Sequence, residues 1–239
     1  MEVLTIISWI FLAIGLVSCI IVYLDVNLGR YQAMPIMNLA WVITSIYMGI
    51  IGLFMYFRYG RASGKPMMHE MHHDHAAMKG GCEHHMMKPK PMWVQVFISS
   101  THCGAGCGLA DIVSELLIYF AGITLWGASI WASFFIDYGF AVVFGLAFQY
   151  LNIKPMKPDT PALQVFWDAV KADILSLTSF QIGMYAWMLA IYFIFHGQVL
   201  ADSAFYWFNI QIGLILGLFT TYPVNYLLIK TGIKVPCAH

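Results

Sequence analysis

Two cysteines and a histidine lie close together in the segment THCGAGCGLAD, interspersed with three glycines. His102, Cys103 and Cys107 carry the imidazole and thiol groups that bind soft and borderline metals. Cys103 and Cys107 are four residues apart, and Asp111 and Glu115 continue that spacing. A helix would place all four of these on one face. The pattern indicates a soft-metal site, with Asp111 as a further ligand, at the start of a polar row.

A second group of metal-binding side chains lies in residues 67–92, which read MMHEMHHDHAAMKGGCEHHMMKPKPM. Thioethers and thiolates favour Cu(I), whereas imidazole also suits zinc. The tract therefore predicts bound copper, with zinc as the alternative, in a loop that needs no fold of its own when empty. A polar low-complexity linker would be the simpler explanation. The candidate ligands are His69, Met71, His72, His73, His75, Cys82, His84 and His85.

Two other interpretations of Cys103 and Cys107 remain open. The pair could serve a membrane thiol-disulfide oxidoreductase, although a reducing cytosol and the Cys-x-x-x-Cys spacing disfavour that chemistry. The cysteines could instead be small buried residues beside helix-packing glycines, as in a non-catalytic scaffold or assembly factor. The sequence contains no phosphate-binding loop and no Ser/His/Asp pattern, which favours a role without catalysis.

Composition places these segments in a lipid bilayer. Of 239 residues, 60% are apolar and 10% are charged, whereas soluble domains carry about 25% charged residues. Stretches near the roughly 20 residues needed to cross the hydrocarbon core occur six times. The prediction is an all-α polytopic bundle of six transmembrane helices, at 3–24, 36–57, 109–131, 134–151, 174–195 and 205–229.

This division gives three parts. Residues 1–58 would form two N-terminal helices, 59–98 a His/Met-rich cytoplasmic loop that is disordered in its middle, and 99–235 a four-helix core containing HCGAGC. The core begins at the cysteine motif, which the distribution of basic residues places at the cytoplasmic mouth of the third helix.

The basic residues predict an orientation. With six crossings, every Lys and Arg except Arg30 falls on the side shared by both termini, and Asp25, Asp137 and Asp202 fall on the other. Cytoplasmic loops carry the excess of Lys and Arg, so the analysis predicts a bacterial inner-membrane protein with both termini in the cytoplasm. The formal net charge of zero gives no reason to expect nucleic acid as a partner.

Several polar residues within the predicted helices indicate a functional interior. Charged side chains inside a membrane are costly and usually face a bundle interior or line a path. Asp111, Gln149, Asp173 and Asn225 are expected to converge around HCGAGC. The predicted polar path consists of Glu115, Gln149, Asp173, Gln181 and Asn225.

Four segments together resemble an uncharacterised family of bacterial integral membrane proteins, known only as a domain of unknown function. They are HCGAGCGLADIVSE, DYGFAVVFGLAFQY, VKADILSLTSFQIGM and FNIQIGLILGLFTTYPVNYLLIKTGIK. The resemblance covers roughly residues 95–235 and implies a compact multi-helix bundle. It implies no activity, substrate or cofactor.

The residues therefore lead to one main expectation. We expect an integral membrane protein that handles a soft transition metal, foremost Cu(I), as a transporter, an efflux protein or an accessory to one. Lipid and the metal ion would be its partners, together with a second copy of the chain or a copper-handling protein.

Overall fold

The computed structural model describes residues 2–30, 32, 35–62, 90–197, 199 and 201–234. The helices are α1 (Glu2–Asn27), α2 (Pro35–Met55) with a π-helical turn (Tyr56–Gly60), α3 (Met92–Ala121), α4 (Ser129–Met156), α5 (Ala162–Ile194) and α6 (Ala204–Lys230). All six are long and apolar enough to cross a membrane, when α2 is taken with its π turn. The prediction of an all-α membrane bundle with six such helices is confirmed.

The third helix begins much earlier than the sequence predicted. We expected a span at 109–131, but α3 is Met92–Ala121 and residues 122–128 form the turn into α4. The polar, glycine-rich stretch 99–108 was excluded by its low hydropathy, yet every residue in it is buried against other helices. Small side chains suit such positions because they let helix backbones approach closely. HCGAGC therefore lies within the helix and not at its entrance.

The second helix does not follow a straight path. Gly49 has φ 53° and ψ −128°, which is non-helical, and the chain reverses direction there. The Trp41 and Tyr56 rings are 5.8 Å apart, whereas a straight helix would separate these residues by about 22 Å. Segments 35–48 and 50–60 therefore form a hairpin, and neither arm has the roughly 20 residues that a crossing needs.

The tip of this hairpin is enclosed by protein. A bend leaves backbone carbonyls without a helical partner, and lipid cannot supply one. The side-chain amide of Gln211 on α6 donates to the Ile46 carbonyl at 2.8 Å. Gly15 on α1 lies against the same carbonyl, where a larger residue would collide with it. The non-helical backbone at the tip thus finds its partners within the bundle.

The returning end of the hairpin is tied to the end of α1. Arg61 forms an ion pair with Asp25 at 2.6 Å, and the Tyr56 hydroxyl donates to the same carboxylate at 2.8 Å. The hydrogen bond to Asp25 raises the pKa of Arg61. The sequence analysis placed Asp25 and Arg61 on opposite sides of the membrane. The structure corrects that assignment, because the hairpin returns to the end at which it began.

The start of α1 and the end of α6 lie at opposite ends of the bundle. Helices α1 and α6 run parallel, since the rings of Phe11 and Phe208 are 5.2 Å apart and Gly15 lies beside Gln211. Helices α3 and α6 are antiparallel, with the Tyr222 hydroxyl donating to a carbonyl near the start of α3. The expectation that both termini share one side assumed a straight second helix, and the hairpin reverses it.

The two ends of the bundle differ in charge. The end with the α1 C-terminus and the α3 N-terminus holds Arg30, Arg61 and Lys90, and Lys90 donates to the Tyr59 carbonyl at 3.0 Å. We call this the basic end. The opposite end consists of the start of α1, the 122–128 turn and the connection from α5 to α6. Within the described part of the chain, no Lys or Arg lies at that opposite end.

Replacing Gly49 with alanine should destabilise the hairpin. Its positive φ is a region that residues with a Cβ rarely adopt, and the added Cβ would lie 3.2 Å from Ile14. We expect a loss of about 1–3 kcal/mol in the free energy of unfolding, measured by thermal unfolding in detergent. Gly139→Ala is the matched control, because Gly139 lies in α4 with open space around it. An unchanged Gly49→Ala protein would contradict the assigned backbone geometry.

The hairpin also predicts the membrane topology. A protease-sensitive epitope before residue 2 and another inserted at Asp159 should be cleaved from opposite sides of sealed membrane vesicles. With a straight second helix the two epitopes would be cleaved from the same side, since that path has an even number of crossings between them. Each epitope is tested in a separate protein, with cleavage after detergent addition as the control for exposure.

Candidate functional site

The HCGAGC segment lies where α3 meets its neighbours most closely. A Cβ built on Gly106 would be 3.2 Å from the Gly145 Cα on α4, and one built on Gly104 would collide with Phe180 of α5 and Tyr47 of the hairpin. The glycines therefore allow close approach of three elements to one stretch of α3. Cys103 and Cys107 are buried there as free thiols.

A buried lysine reaches Cys103 from beyond α6. The Lys234 side chain is fully enclosed, and its ammonium group contacts Asn225 Oδ1 at 3.0 Å, Asp173 Oδ1 at 3.2 Å, and Ser176 Oγ and Cys103 Sγ at 3.4 Å each. We call these five residues the lysine cluster. The sequence analysis counted Lys234 among the cytoplasmic loop charges, and the structure corrects this, because the chain after α6 folds back into the bundle.

Three helices fix the partners of this ammonium group. The Cys103 thiol donates to Asp173 Oδ1 at 2.8 Å and contacts Ser176 Oγ at 3.0 Å. Asn225 on α6 donates to Ser100 Oγ on α3 at 3.0 Å. Thr221 donates to the Ser176 carbonyl at 2.7 Å. The geometry of the cluster is therefore set by hydrogen bonds that join α3, α5 and α6.

The second Asp173 oxygen points toward α4. A Cβ on Gly145 would be 3.1 Å from Asp173 Oδ2, so the missing side chain makes room for this carboxylate. Asp173 Oδ2 has no hydrogen-bond partner among the described residues. The Lys234–Asp173 pair is thus a buried ion pair, and removing one member of such a pair costs about 3–5 kcal/mol.

His102 lies outside the lysine cluster. Its ring is buried and packs edge-on against Phe148, with the ring centroids 6.0 Å apart. Among the residues that the structure describes, no three His, Cys, Asp or Glu side chains are grouped so as to hold a metal ion. The expected His102–Cys103–Cys107–Asp111 ligand set is therefore not assembled as one group. The predicted ligands of the His/Met tract, residues 69–85, lie outside the described residues.

Three carboxyl groups form a second cluster farther along α3. Asp111 and Glu115 on α3 lie near Asp137 on α4, and the Asp111 and Asp137 carboxyl groups contact each other. Asp137 accepts hydrogen bonds from the Tyr185 hydroxyl at 2.8 Å, Gln181 Nε2 at 3.1 Å and Ser114 Oγ at 3.4 Å. We call Asp111, Glu115 and Asp137 the carboxylate cluster. Asp137 was expected at an external turn, but α4 begins earlier and carries it into the bundle.

A cavity connects the carboxylate cluster with the end opposite the basic end. Its volume is about 50 Å³. Ser129 and Gly197 lie near its mouth, and the three carboxylates line its inner wall. Within the described residues that line it there is no Lys, Arg or His. The cavity therefore presents acidic side chains, and no basic ones among those described, to a solute entering from that end.

Cys107 lies between the two clusters. It is one helical turn from Cys103 and one turn from Asp111, and all three are buried. The predicted row on one face of α3 thus becomes a continuous polar line from the cavity to Lys234. Gln149 is buried on α4, with its Oε1 atom unpaired among the described residues. The expected convergence is partial, because Asp173 contacts Cys103 and Asn225 contacts Lys234, whereas Asp111 contacts Asp137.

The sequence did not identify two residues of these clusters, Lys234 and Asp137, as part of a site. Asp137 had a usable signal, because a carboxylate within an apolar run is costly unless it is buried with donors. Lys234 had none, since a lysine just after a membrane helix is ordinarily solvated.

Comparison with known proteins supplies a family without an activity. A family model described as a domain of unknown function, DUF4396, matches residues 92–234, which is more than half of the chain. No curated protein and no solved structure matched. The matched region begins at α3 and ends at Lys234, so both clusters lie inside it. The chain therefore belongs to the DUF4396 family.

Proposed function

We propose that this protein is a membrane transporter that exports a soft monovalent cation, foremost Cu(I), through the lysine cluster. The observation that supports it best is the environment of the Lys234 ammonium group. One sulfur and three oxygen atoms surround a tethered cation inside the bundle. A site that holds an ammonium in this way has the charge and the donors to hold a metal ion in its place.

Charge conservation favours a monovalent ion at this position. When Cu(I) binds and the Lys234 ammonium releases one proton, the net charge of the buried cluster is unchanged, whereas Zn(II) would add one positive charge. Uncompensated charge in a membrane interior is costly. The Cys103 sulfur is also a soft donor, which Cu(I) prefers. Zinc remains the alternative metal.

The polar line gives such an ion a route. It would leave the lysine cluster, pass Cys107 and reach the carboxylate cluster, whose cavity opens at the other end. The positive-inside rule assigns the basic end to the cytoplasm. We therefore propose a bacterial inner-membrane protein with the start of α1 outside, and with the His/Met tract collecting ions in the cytoplasm.

One observation favours the alternative of thiol-disulfide chemistry. A lysine ammonium beside a cysteine promotes the reactive thiolate, and Lys234 lies 3.4 Å from Cys103. Both cysteine side chains are, however, buried in the bundle, so a partner disulfide has no access to them. Reversible trapping of a Cys103–Cys107 disulfide in cells would support this alternative over metal transport.

Replacing Lys234 with leucine, which adds no metal-binding atom, tests the exchange directly. Without a counter-ion for Asp173, the metal-free variant should lose about 3–5 kcal/mol of stability. Ag(I), a redox-stable substitute for Cu(I), should bind at least tenfold more tightly than to the unmodified protein and restore thermal stability. Titration calorimetry and thermal unfolding in detergent measure the two effects.

Lys230→Leu is the matched control, because Lys230 ends α6 and is exposed. It should alter neither affinity nor stability. If Lys234→Leu is destabilised and Ag(I) neither binds more tightly nor restores it, the ammonium does not mark a cation site.

The number of metal ions bound per protein distinguishes the lysine cluster from the His/Met tract. Deletion of residues 67–88 should remove the ions held by the tract and leave the ion at Cys103. Cys103→Ser in the deleted protein should remove that ion, whereas Cys19→Ser should not, since Cys19 lies on α1. Mass spectrometry of metal in the purified proteins measures each loss. A Cys103→Ser protein with full metal content would contradict the proposal.

A further inference from the structure

Two methionines line the cavity beside the carboxylate cluster. Met184 and Met188 are one turn apart on α5, and both line the same cavity as Asp111 and Asp137. Their side chains are only 2% and 6% exposed. Thioether sulfur is a soft, neutral donor that favours Cu(I) over hard cations. Two soft donors thus share one cavity with negative charge.

The carboxylate oxygens of Asp137 and Asp111 differ in the hydrogen bonds that they accept. Asp137 accepts three hydrogen bonds, from Tyr185, Gln181 and Ser114. Asp111 is 1% exposed, and its Oδ2 atom has no hydrogen-bond partner among the described residues. A buried polar atom without a partner is costly and usually has a functional explanation. Beyond its contact with Asp137, Asp111 therefore keeps acceptor capacity for a cation that enters the cavity.

The residues that line the cavity favour a ligand of one charge sign. Three carboxyl groups face the cavity, and no basic side chain lies among the described lining residues. A cation that binds here favours ionisation of these acidic groups and is attracted by them, whereas no described lining side chain would offset the charge of an anion. Thioethers do not take up protons, so a metal bound by them competes with protons only at the carboxylates.

We propose that Met184, Met188 and Asp111 form a second site for a soft monovalent cation such as Cu(I). The identity of the ion rests on the proposed function, but the site is a separate one. Asp111 lies eight residues from Cys103 along α3, which corresponds to about 12 Å, with Cys107 midway. The protein thus holds an inner site at the lysine cluster and an outer site in the cavity, and Cys107 joins them.

The test uses the protein with residues 67–88 deleted and Ag(I) as the probe. The double variant Met184→Leu/Met188→Leu should lose about one bound Ag(I), while retaining the ion that Cys103→Ser removes. Methionine to leucine conserves volume and usually costs less than about 1.5 kcal/mol, so folding should survive. Met37→Leu is the control, because Met37 is buried in the hairpin at the basic end.

A second variant tests the carboxylate. Asp111→Asn keeps the shape of the side chain and removes its charge, so Ag(I) affinity at the outer site should fall at least tenfold. X-ray absorption at the silver edge should show sulfur neighbours at the outer site in the Cys103→Ser protein, and these should disappear when Met184 and Met188 are also leucine.

The outcomes separate the two proposals. If Met184→Leu/Met188→Leu keeps its full silver content, the outer site is wrong, whereas the lysine cluster stands as long as Cys103→Ser loses its ion. If Cys103→Ser keeps full silver content and the methionine variant loses one ion, the outer site is supported and the lysine cluster is not the metal site.

Discussion

The structure of the bundle core depends on one buried ion pair, Lys234 with Asp173. An ammonium group inside a membrane protein needs a counter-charge and further oxygen or sulfur partners to offset its desolvation. Here α3, α5 and α6 each supply one or more of those partners. Moving any of these helices would leave a charge without a partner. The pair therefore fixes the relative positions of three helices around the HCGAGC segment.

The hairpin of α2 fills the space on the other side of α3. Because the chain reverses at Gly49, the first arm runs beside the buried stretch of α3, and the Thr44 hydroxyl donates to the Thr101 carbonyl at 3.4 Å. The tip depends on Gln211 for a hydrogen bond. The hairpin thus closes one side of the HCGAGC region without adding a crossing. Broken helices at membrane depth are a recurrent way to build ion sites in transporters, which agrees with the proposed role.

Hydropathy and residue spacing predicted much of this architecture. The apolar stretches correctly predicted six helices and an all-α bundle, and the four-residue spacing from Cys103 to Glu115 correctly predicted a polar row. Hydropathy failed at the start of α3, because 99–108 is polar by composition but packs small side chains between helices. It also could not detect the reversal at Gly49, since a hairpin and a crossing of the same length have the same composition.

Charge counting failed for a different reason. It treats every lysine as solvated, so it assigned Lys234 to a loop. Only the fold shows that four partners surround it. The polar row on α3, from Cys103 to Glu115, was recognisable in the sequence. Its two ends differ, however, because Lys234 contacts Cys103 at one end and Asp137 joins Asp111 and Glu115 at the other. Lys234 and Asp137 lie far from the HCGAGC motif in sequence, and spacing within one helix carries no information about them.

The hairpin has a consequence for how the chain enters the bilayer. Placing a charged side chain at the bilayer centre costs about 2.5–3.5 kcal/mol on insertion scales. With the basic end in the cytoplasm, as proposed, a crossing α2 would have carried Arg30 through the membrane, whereas the reversal at Gly49 leaves it on the same side as Arg61. Within the described residues, assembly of this bundle in that orientation requires no lysine or arginine to be translocated, and the segments that cross to the far end bring only neutral or acidic residues with them.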